Sequence, residues 1–512
     1  MSLEKRWPWL YPLLIVIIFV IVYVNVYDKK IAILGDNATY YVLGKGLSEF
    51  AGFVNYASPN KAPHNHFPPG YPFLLSIIMF ISSDDIQLMK FMNGVLALGI
   101  GLLSFLIVKR LTSKPLLAGF ISVAIIMNAE LLYYSSIMMS EVPFAFFTVL
   151  ALFLLVRMPI DRPFFKNLNF FIILFLIVYS FYIRAFGVAL LGGAVVFLLF
   201  RKKISYAVAL LIGFFTGILP WQIRSYQLGG SSQLNVLFRK NFYRQEEGTI
   251  ETSDLLERIV SNFDRIFSIE LPQSILPILD LSSESTSSFT KWIIGLAFVA
   301  VIIYGVKKTS LNGILLGSYF VFTLAILFVW PDYFSSQRYL VPVIPILSIL
   351  FYIGLYEFMS LVFKKYFGLS SFNPAFLFVF FLFFLSPIRK LSQSAKQNYP
   401  IQWAEFFAMA KWTKEKINDK VVICSRKPYL FYLFSGHTSC NYRYTENDLE
   451  LLDGLNVNRV DYVVYDQLGF GTTPRCLGNA INKHKDRFNV IQYAGPENRR
   501  TYFFKYQREN SQ

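Results

Sequence analysis

Apolar residues gather in blocks over most of the first three quarters of the chain, and most blocks approach the roughly 20 residues that cross a bilayer as a helix. They fall at 8–27, 88–108, 115–133, 142–157, 168–183, 186–200, 206–222, 290–306, 312–330, 340–358 and 374–388, which predicts about eleven transmembrane helices. A membrane barrel would show alternation of apolar and polar residues instead, and none is present. A further apolar run at 69–83 is short, opens with Pro68-Pro69-Gly70 and ends in Asp84-Asp85. Counting it as a span would turn the basic loop 109–114 outward, so it reads as an interfacial helix on the outer face.

The polar stretches between blocks form two sets. Alternate loops are short and basic: Lys5 and Arg6; Lys109, Arg110 and Lys114; Arg157, Arg162 and Lys166; Arg201, Lys202 and Lys203; Lys307 and Lys308; Lys364 and Lys365. Such loops face the cytoplasm, which places the N-terminus inside and, with an odd number of spans, the C-terminus outside. The first block is too long for a removed signal peptide and lacks a small-residue cleavage site. The other set holds the large segments 28–87, 223–289 and the tail from 389. The expected domains are a membrane module over 1–390 with outer loops 28–87 and 223–289, and an extracytoplasmic domain over 391–512. In that tail the pattern changes to strand-like VVICS (421–425) and RVDYVVYDQ (459–467), with helix-like 402–417 and 474–487, as in a small α/β domain.

Composition agrees with the pattern: of 512 residues, 55% are hydrophobic, 18% aromatic and only 16% charged, far from a soluble average. The net charge of +16 would suit nucleic acid, but the Lys and Arg residues sit in short loops between spans, so a nucleic-acid partner is not expected. Cys424, Cys440 and Cys476 all lie in the tail, where either one disulfide plus a free thiol or three unpaired thiols fit. No pattern of closely paired Cys and His suggests zinc.

Ionisable residues recur where the outer turns meet the membrane. Asp36 follows the first span in GDNATYY, Glu141 stands between the third and fourth, Arg184 between the fifth and sixth, Arg224 after the seventh, and Arg338 before the tenth. Two carboxylates and several arginines at one membrane level suit a reaction on a lipid-borne phosphate. Arginine offers phosphate a planar fork of donors, and a carboxylate can take a proton from an attacking hydroxyl. The competing reading is that they only anchor the protein among headgroups, a role that favours Lys, Arg, Trp and Tyr over acids.

In order, GDNATYY, HFPPGYPFLLS (66–76), SEVPFAF (140–146), PWQIRSY (220–226) and RYLVPVIP (338–345) resemble the polyprenol-phosphate-sugar-dependent glycosyltransferases of the GT-C type, the group that includes protein O-mannosyltransferases and lipid A aminoarabinose transferases. The resemblance covers roughly residues 8–388 and is carried by motif order between spans. It implies an all-α polytopic membrane protein with a small C-terminal α/β domain, transferring a sugar from a polyprenyl-phosphate donor to an extracytoplasmic lipid, protein or glycan, with inversion at the anomeric carbon. The size and the single-domain tail suggest a bacterial cell membrane, with membrane lipids as the remaining partners. The resemblance makes Asp36 the catalytic base or acceptor-orienting group, and Glu141 a second acidic residue of the catalytic set. It gives His66 and Arg338 to the donor phosphate; the pattern of outer-edge residues adds Arg184 and Arg224 there, and Tyr40 and Tyr71 are expected in the substrate loops. The chain has Asp36-Asn37 where many relatives carry Asp-Glu. His64-x-His66 alone does not complete a metal site, so no metal or other cofactor is expected. A flippase for a lipid-linked precursor would place ionisable residues within its spans, which here are almost free of them. An inert anchor for a glycan-binding scaffold would not need so many spans.

Overall fold

A computed structural model of the chain describes residues 9–33, 35–82, 84–230, 236–240, 248–279, 281–282, 286–331, 337–368 and 372–508. Lys5, Arg6 and the first residue of the block 8–27 lie outside the described residues.

Each apolar block forms helix. Six helical stretches are long and apolar enough to cross a membrane: Ile86–Thr112, Ile204–Gln227, Ser288–Lys308, Ser310–Val329, Gln337–Phe367 and Pro374–Lys396. The block 115–133 is two helices, Pro115–Ile126 and Ala129–Ser135, bent by 59°, and counting the pair as one span makes seven. The break is local chemistry: Asn128 turns extended (ψ 123°) and its side chain accepts hydrogen bonds from the Glu130 and Leu131 backbone N–H groups at 3.1 and 3.3 Å, starting a new helix. The helices Leu10–Val26, Glu141–Arg157, Leu168–Ile183 and Gly187–Phe200 have 17, 17, 16 and 14 residues. By length and composition the described residues therefore support six or seven spans where the block pattern predicts eleven.

The chain divides into two compact units. The first comprises residues 1–29, 65–71 and 86–395. At its centre runs Gln337–Phe367, 89% buried over its most apolar window. Helix Ser288–Lys308 lies hard against it: a Cβ on Gly305 would come within 2.0 Å of the Leu350 carbonyl oxygen, and one on Gly354 within 2.1 Å of the Val301 carbonyl oxygen. Without a hydrophobic effect between helices in lipid, such backbone proximity supplies the packing.

The second unit comprises 30–64, 72–85 and 396–512. The sequence boundary at 390 nearly coincides with its C-terminal part, but most of the outer loop 28–87 belongs with the tail rather than with the membrane helices. Hydrogen bonds account for this grouping. Ser439 N–H donates to the Ala57 carbonyl at 2.7 Å, the Ile31 N–H donates to Tyr399 Oη at 2.7 Å, and helix Asn37–Ser48 packs on helix Pro428–Ser435. Most of the run read as interfacial, now helix Gly70–Ser82, falls here too, tied by Lys45 to Asp84 at 2.6 Å.

The five-stranded sheet consists of β1 (Val422–Cys424), β2 (Thr438–Cys440), β3 (Tyr462–Tyr465), β4 (Phe488–Ala494) and β5 (Thr501–Tyr506), in the order β2-β1-β3-β5-β4. The first three are parallel, and β5 runs antiparallel to both β3 and β4. Helix Ile401–Lys416 matches its prediction. The helix expected at 474–487 is broken into a π-helix Thr473–Gly478, a short helix Asn479–Lys483 capped by His484, which bonds Asp448 at 2.7 Å, and a 3₁₀ turn Lys485–Arg487.

Cys424 and Cys440 are register partners on β1 and β2, and all three cysteines are buried and free. Burial, reinforced by the neighbouring Cys440, pushes the Cys424 thiol well above its ordinary pKa, and buried thiols are poor nucleophiles. The folded protein is therefore expected to resist maleimide, with three labels appearing by mass spectrometry only after denaturation; rapid labelling of the native protein would contradict this packing.

Candidate functional site

Glu141 opens helix Glu141–Arg157 and has no solvent exposure. A buried carboxylate needs compensating charge. One oxygen, Oε1, receives both partners: Arg184 Nη1 at 2.8 Å and Arg338 Nε. Oε2 has no hydrogen-bond partner among the described residues. The helix N-terminus adds about 0.3–1 kcal/mol for an acid in its first turn, a small share beside two guanidinium contacts. Two positive charges against one negative leave the trio with a charge of +1.

Local backbone delivers each member. Arg184 sits in the break between helices Leu168–Ile183 and Gly187–Phe200, in extended conformation (φ −149°, ψ 134°). Its Nη1 also donates to Ser140 Oγ at 2.9 Å, and its guanidinium lies over the Tyr339 ring at 5.8 Å. Tyr339 in turn stacks on Phe186. Arg338 stands in the 3₁₀ turn Gln337–Tyr339 that leads into the buried central helix. The turn before Glu141 is held by Asn93, whose Nδ2 donates to the Ile137 and Met139 carbonyls at 2.7 and 3.0 Å.

Of the predicted site residues, Glu141, Arg184 and Arg338 therefore form one ion-paired cluster. Tyr71 is fully buried and its hydroxyl accepts from Asn93 Nδ2 at 3.2 Å, which ties it to the residue that holds the turn before Glu141. Gly70 fits against the helix that ends before Arg184: a Cβ there would lie 2.6 Å from the Tyr182 carbonyl, and Tyr179 Oη donates to the Gly70 carbonyl at 3.0 Å. His66 packs edge-on against Phe67. Its neighbour Asn65 accepts from Ser225 Oγ at 2.9 Å, next to Arg224, which lies over the Trp221 ring at 5.4 Å. His66 and Arg224 thus share a second neighbourhood.

Asp36 and Tyr40 belong to the second unit. Asp36 is the N-cap of helix Asn37–Ser48, yet its carboxylate makes no capping hydrogen bond. Its charge is felt by Lys427, whose pKa is lowered by burial and by Arg426 and pulled back up by Asp36 and Asp466. Tyr40 is buried in the same helix.

Residues that the sequence reading did not single out complete the cluster. Asn93 was visible as a lone amide in an apolar block, the kind of residue that is expensive in a membrane and so has a task. Gln337, beside Arg338, bonds to Gln273. Both line a polar cavity of about 680 Å³ with Glu130, Tyr133, Lys390 and Ser394. An apolar cavity of about 560 Å³ is lined by Val196, Phe267, Ile303, Gly317, Phe320 and Phe322. Both sizes are typical of ligand pockets. Among the described residues no group of three or more His, Cys, Asp or Glu is gathered as a metal site.

Residues 65–223 match the family model for dolichyl-phosphate-mannose-protein mannosyltransferase. The matched stretch contains His66, Tyr71, Glu141 and Arg184. No curated protein matches the sequence. Among solved structures, the chain resembles ArnT from Cupriavidus metallidurans bound to undecaprenyl phosphate, with a TM-score of 0.60 and 13% identity over 97% of this chain and 98% of that one. It also resembles the oligosaccharyltransferase AglB from Archaeoglobus fulgidus in complex with an inhibitory peptide and a dolichol-phosphate, with a TM-score of 0.57 and 14% identity over 99% of this chain and 75% of that one. At such identities the likeness is one of fold. The GT-C resemblance of the motifs is thus matched by the fold and by the partial family match.

Removing one partner of a buried ion pair typically costs about 3–5 kcal/mol. Glu141→Ala is therefore expected to lower the thermal unfolding midpoint in detergent markedly, because it leaves two guanidiniums without their shared acceptor; a midpoint equal to the wild type would mean the trio is not a structural unit.

Proposed function

We propose that the protein is a membrane glycosyltransferase that moves one sugar from a polyprenyl-phosphate carrier to an extracytoplasmic acceptor. The observation that carries this reading is the Glu141 trio: one buried carboxylate oxygen aligns Arg184 and Arg338, whose planar forks of donors suit a phosphate. The fold and the partial family match support the same reading.

In the reaction, the acceptor oxygen forms a bond to the anomeric carbon while the bond from that carbon to the phosphate oxygen breaks, with inversion. The electron pair goes to the departing lipid phosphate, which Arg338 and Arg184 stabilise with donors that Glu141 already orients. The hydroxyl proton goes to Asp36. Glu141, with Oε1 already committed, orients the arginines instead of accepting that proton. His66 and Arg224 are assigned a lesser part in donor binding, and Tyr40 and Tyr71 a supporting one. The apolar cavity suits an isoprenoid tail, and the polar cavity beside Gln337 suits the sugar end of the donor. Two guanidiniums can neutralise the phosphate without a metal, so transfer is expected to persist in chelator. The outer loops and tail face outward in this reading, at the surface where lipid-borne donor and water-borne acceptor meet.

The test is transfer of radiolabelled sugar from a panel of polyprenyl-phosphate sugars by membranes carrying the wild type or variants, with folding checked in parallel. Asp36→Asn is expected to lower transfer by about 10²–10⁴, the usual share of base assistance. Arg338→Ala should weaken donor use more than Arg224→Ala. Equal transfer by a folded Asp36→Asn protein would remove Asp36 as base, and absence of transfer from every donor with acceptor present would overturn the enzyme reading.

A further inference from the structure

The second unit contains a feature that the transferase reading does not use. Its strand order β2-β1-β3 means that the chain leaves β1 to one side for β2 and returns to the other side for β3. In open α/β sheets, ligands bind outside the carboxyl ends of the parallel strands at such a switch point. Here that edge holds three buried oxygens without a hydrogen-bond partner among the described residues: Ser425 Oγ after β1, Asn441 Oδ1 after β2, and Asp466 Oδ2 after β3. Ser425 is 0% and Asp466 2% exposed. An orphaned buried polar group costs about 1–3 kcal/mol, so three at one strand edge call for an explanation.

Asn441 Oδ1 and ionised Asp466 Oδ2 can only accept, while Ser425 Oγ can accept or donate, so a ligand that satisfies all three carries hydroxyl groups. Around them lie the faces of Tyr444 and Phe470, with the Arg426 guanidinium 4.6 and 4.4 Å from the two ring centroids and the Lys427 ammonium 4.8 Å from that of Phe470. Arg426 Nε donates to Thr472 Oγ1 at 3.1 Å. The charges near the edge cancel: Arg426 and Lys427 against Asp466 and Asp36, whose influence on Lys427 places them in its field. That balance disfavours an anion. Phe470 stands between Gly469 and Gly471, and neither glycine has an atom within 4 Å of where a Cβ would be, so the backbone beside the ring is open.

We propose that the carboxyl edge of β1 and β3 is a binding crevice for a neutral sugar ring, which stacks on Phe470 or Tyr444 and gives its hydroxyl hydrogens to Asp466, Asn441 and Ser425. Resting on the glycosyltransferase reading, this makes the acceptor a neutral glycan, held by the same unit that carries Asp36. Burial pushes the Asp466 carboxyl up to about 6, against the pull of the Leu468 N–H and the Arg426 charge, which leaves it ionised as a hydroxyl acceptor near neutral pH.

The experiment uses full-length protein in detergent and saturation-transfer NMR with mannose, glucose and N-acetylglucosamine, with glucuronate and inorganic phosphate as the charged arms. At least one neutral sugar is expected to bind the wild type, more strongly than either anion. Ser425→Ala removes an orphaned hydroxyl and should leave the thermal midpoint unchanged or raised while weakening the sugar. Asp466→Asn should weaken it about tenfold, the cost of losing a hydrogen bond to a charged group. No binding by any neutral sugar, tighter binding of phosphate or glucuronate, or sugar binding unchanged in both variants would overturn the proposal. Sugar binding in a protein that transfers nothing would keep the crevice and sink the transferase reading, so the two fail separately.

Discussion

One carboxylate oxygen holds the centre of the first unit together. Glu141 Oε1 accepts from arginines 43 and 197 residues away in sequence, and it does so where no water reaches it. Two guanidiniums brought this close repel each other, and their alignment exists only because a negative charge lies between them. The rest of the unit serves that arrangement. Asn93 fixes the turn before Glu141, the break at Arg184 lets its side chain leave the helix axis, and Gly70 permits the backbone contact that braces the helix before the break. The central helix carries Arg338 at its start, anchored by the glycine contacts with Ser288–Lys308.

In the proposed function the trio acts as a preorganised anion site. A phosphate approaching the trio meets donors that are already oriented, so little reorganisation remains when charge develops on it. The Arg184 guanidinium lies over the Tyr339 ring, which itself stacks on Phe186, so a ring face helps to hold its charge in place. An anchor among headgroups would need neither a fully buried carboxylate nor two arginines converging on one of its oxygens.

The sequence reveals the helices well because apolar blocks of near-bilayer length are unambiguous, and it misjudges where their breaks fall because a single Asn128 side chain decides one of them. It reveals the ionisable residues at the outer turns one by one. It does not reveal that Glu141, Arg184 and Arg338 are partners, since that depends on how distant helices pack, nor that His66 and Arg224 share a different neighbourhood. The grouping of residues 30–64 with the tail rests on contacts such as Ser439 to Ala57, which no local pattern signals. In the tail, β1 and β3 show as β-branched runs, whereas β2 is three residues of Thr, Ser and Cys and gives no periodicity to read.

The most direct measurement of the central claim is equilibrium binding of undecaprenyl phosphate to the folded protein, wild type against Arg338→Lys. Lysine keeps the charge but loses the planar fork that Glu141 aligns. The account predicts at least about a tenfold loss of affinity, the equivalent of one charge-assisted hydrogen bond. Affinity equal to the wild type would show that only net charge attracts the lipid, and that the geometry held by Glu141 is not a phosphate site.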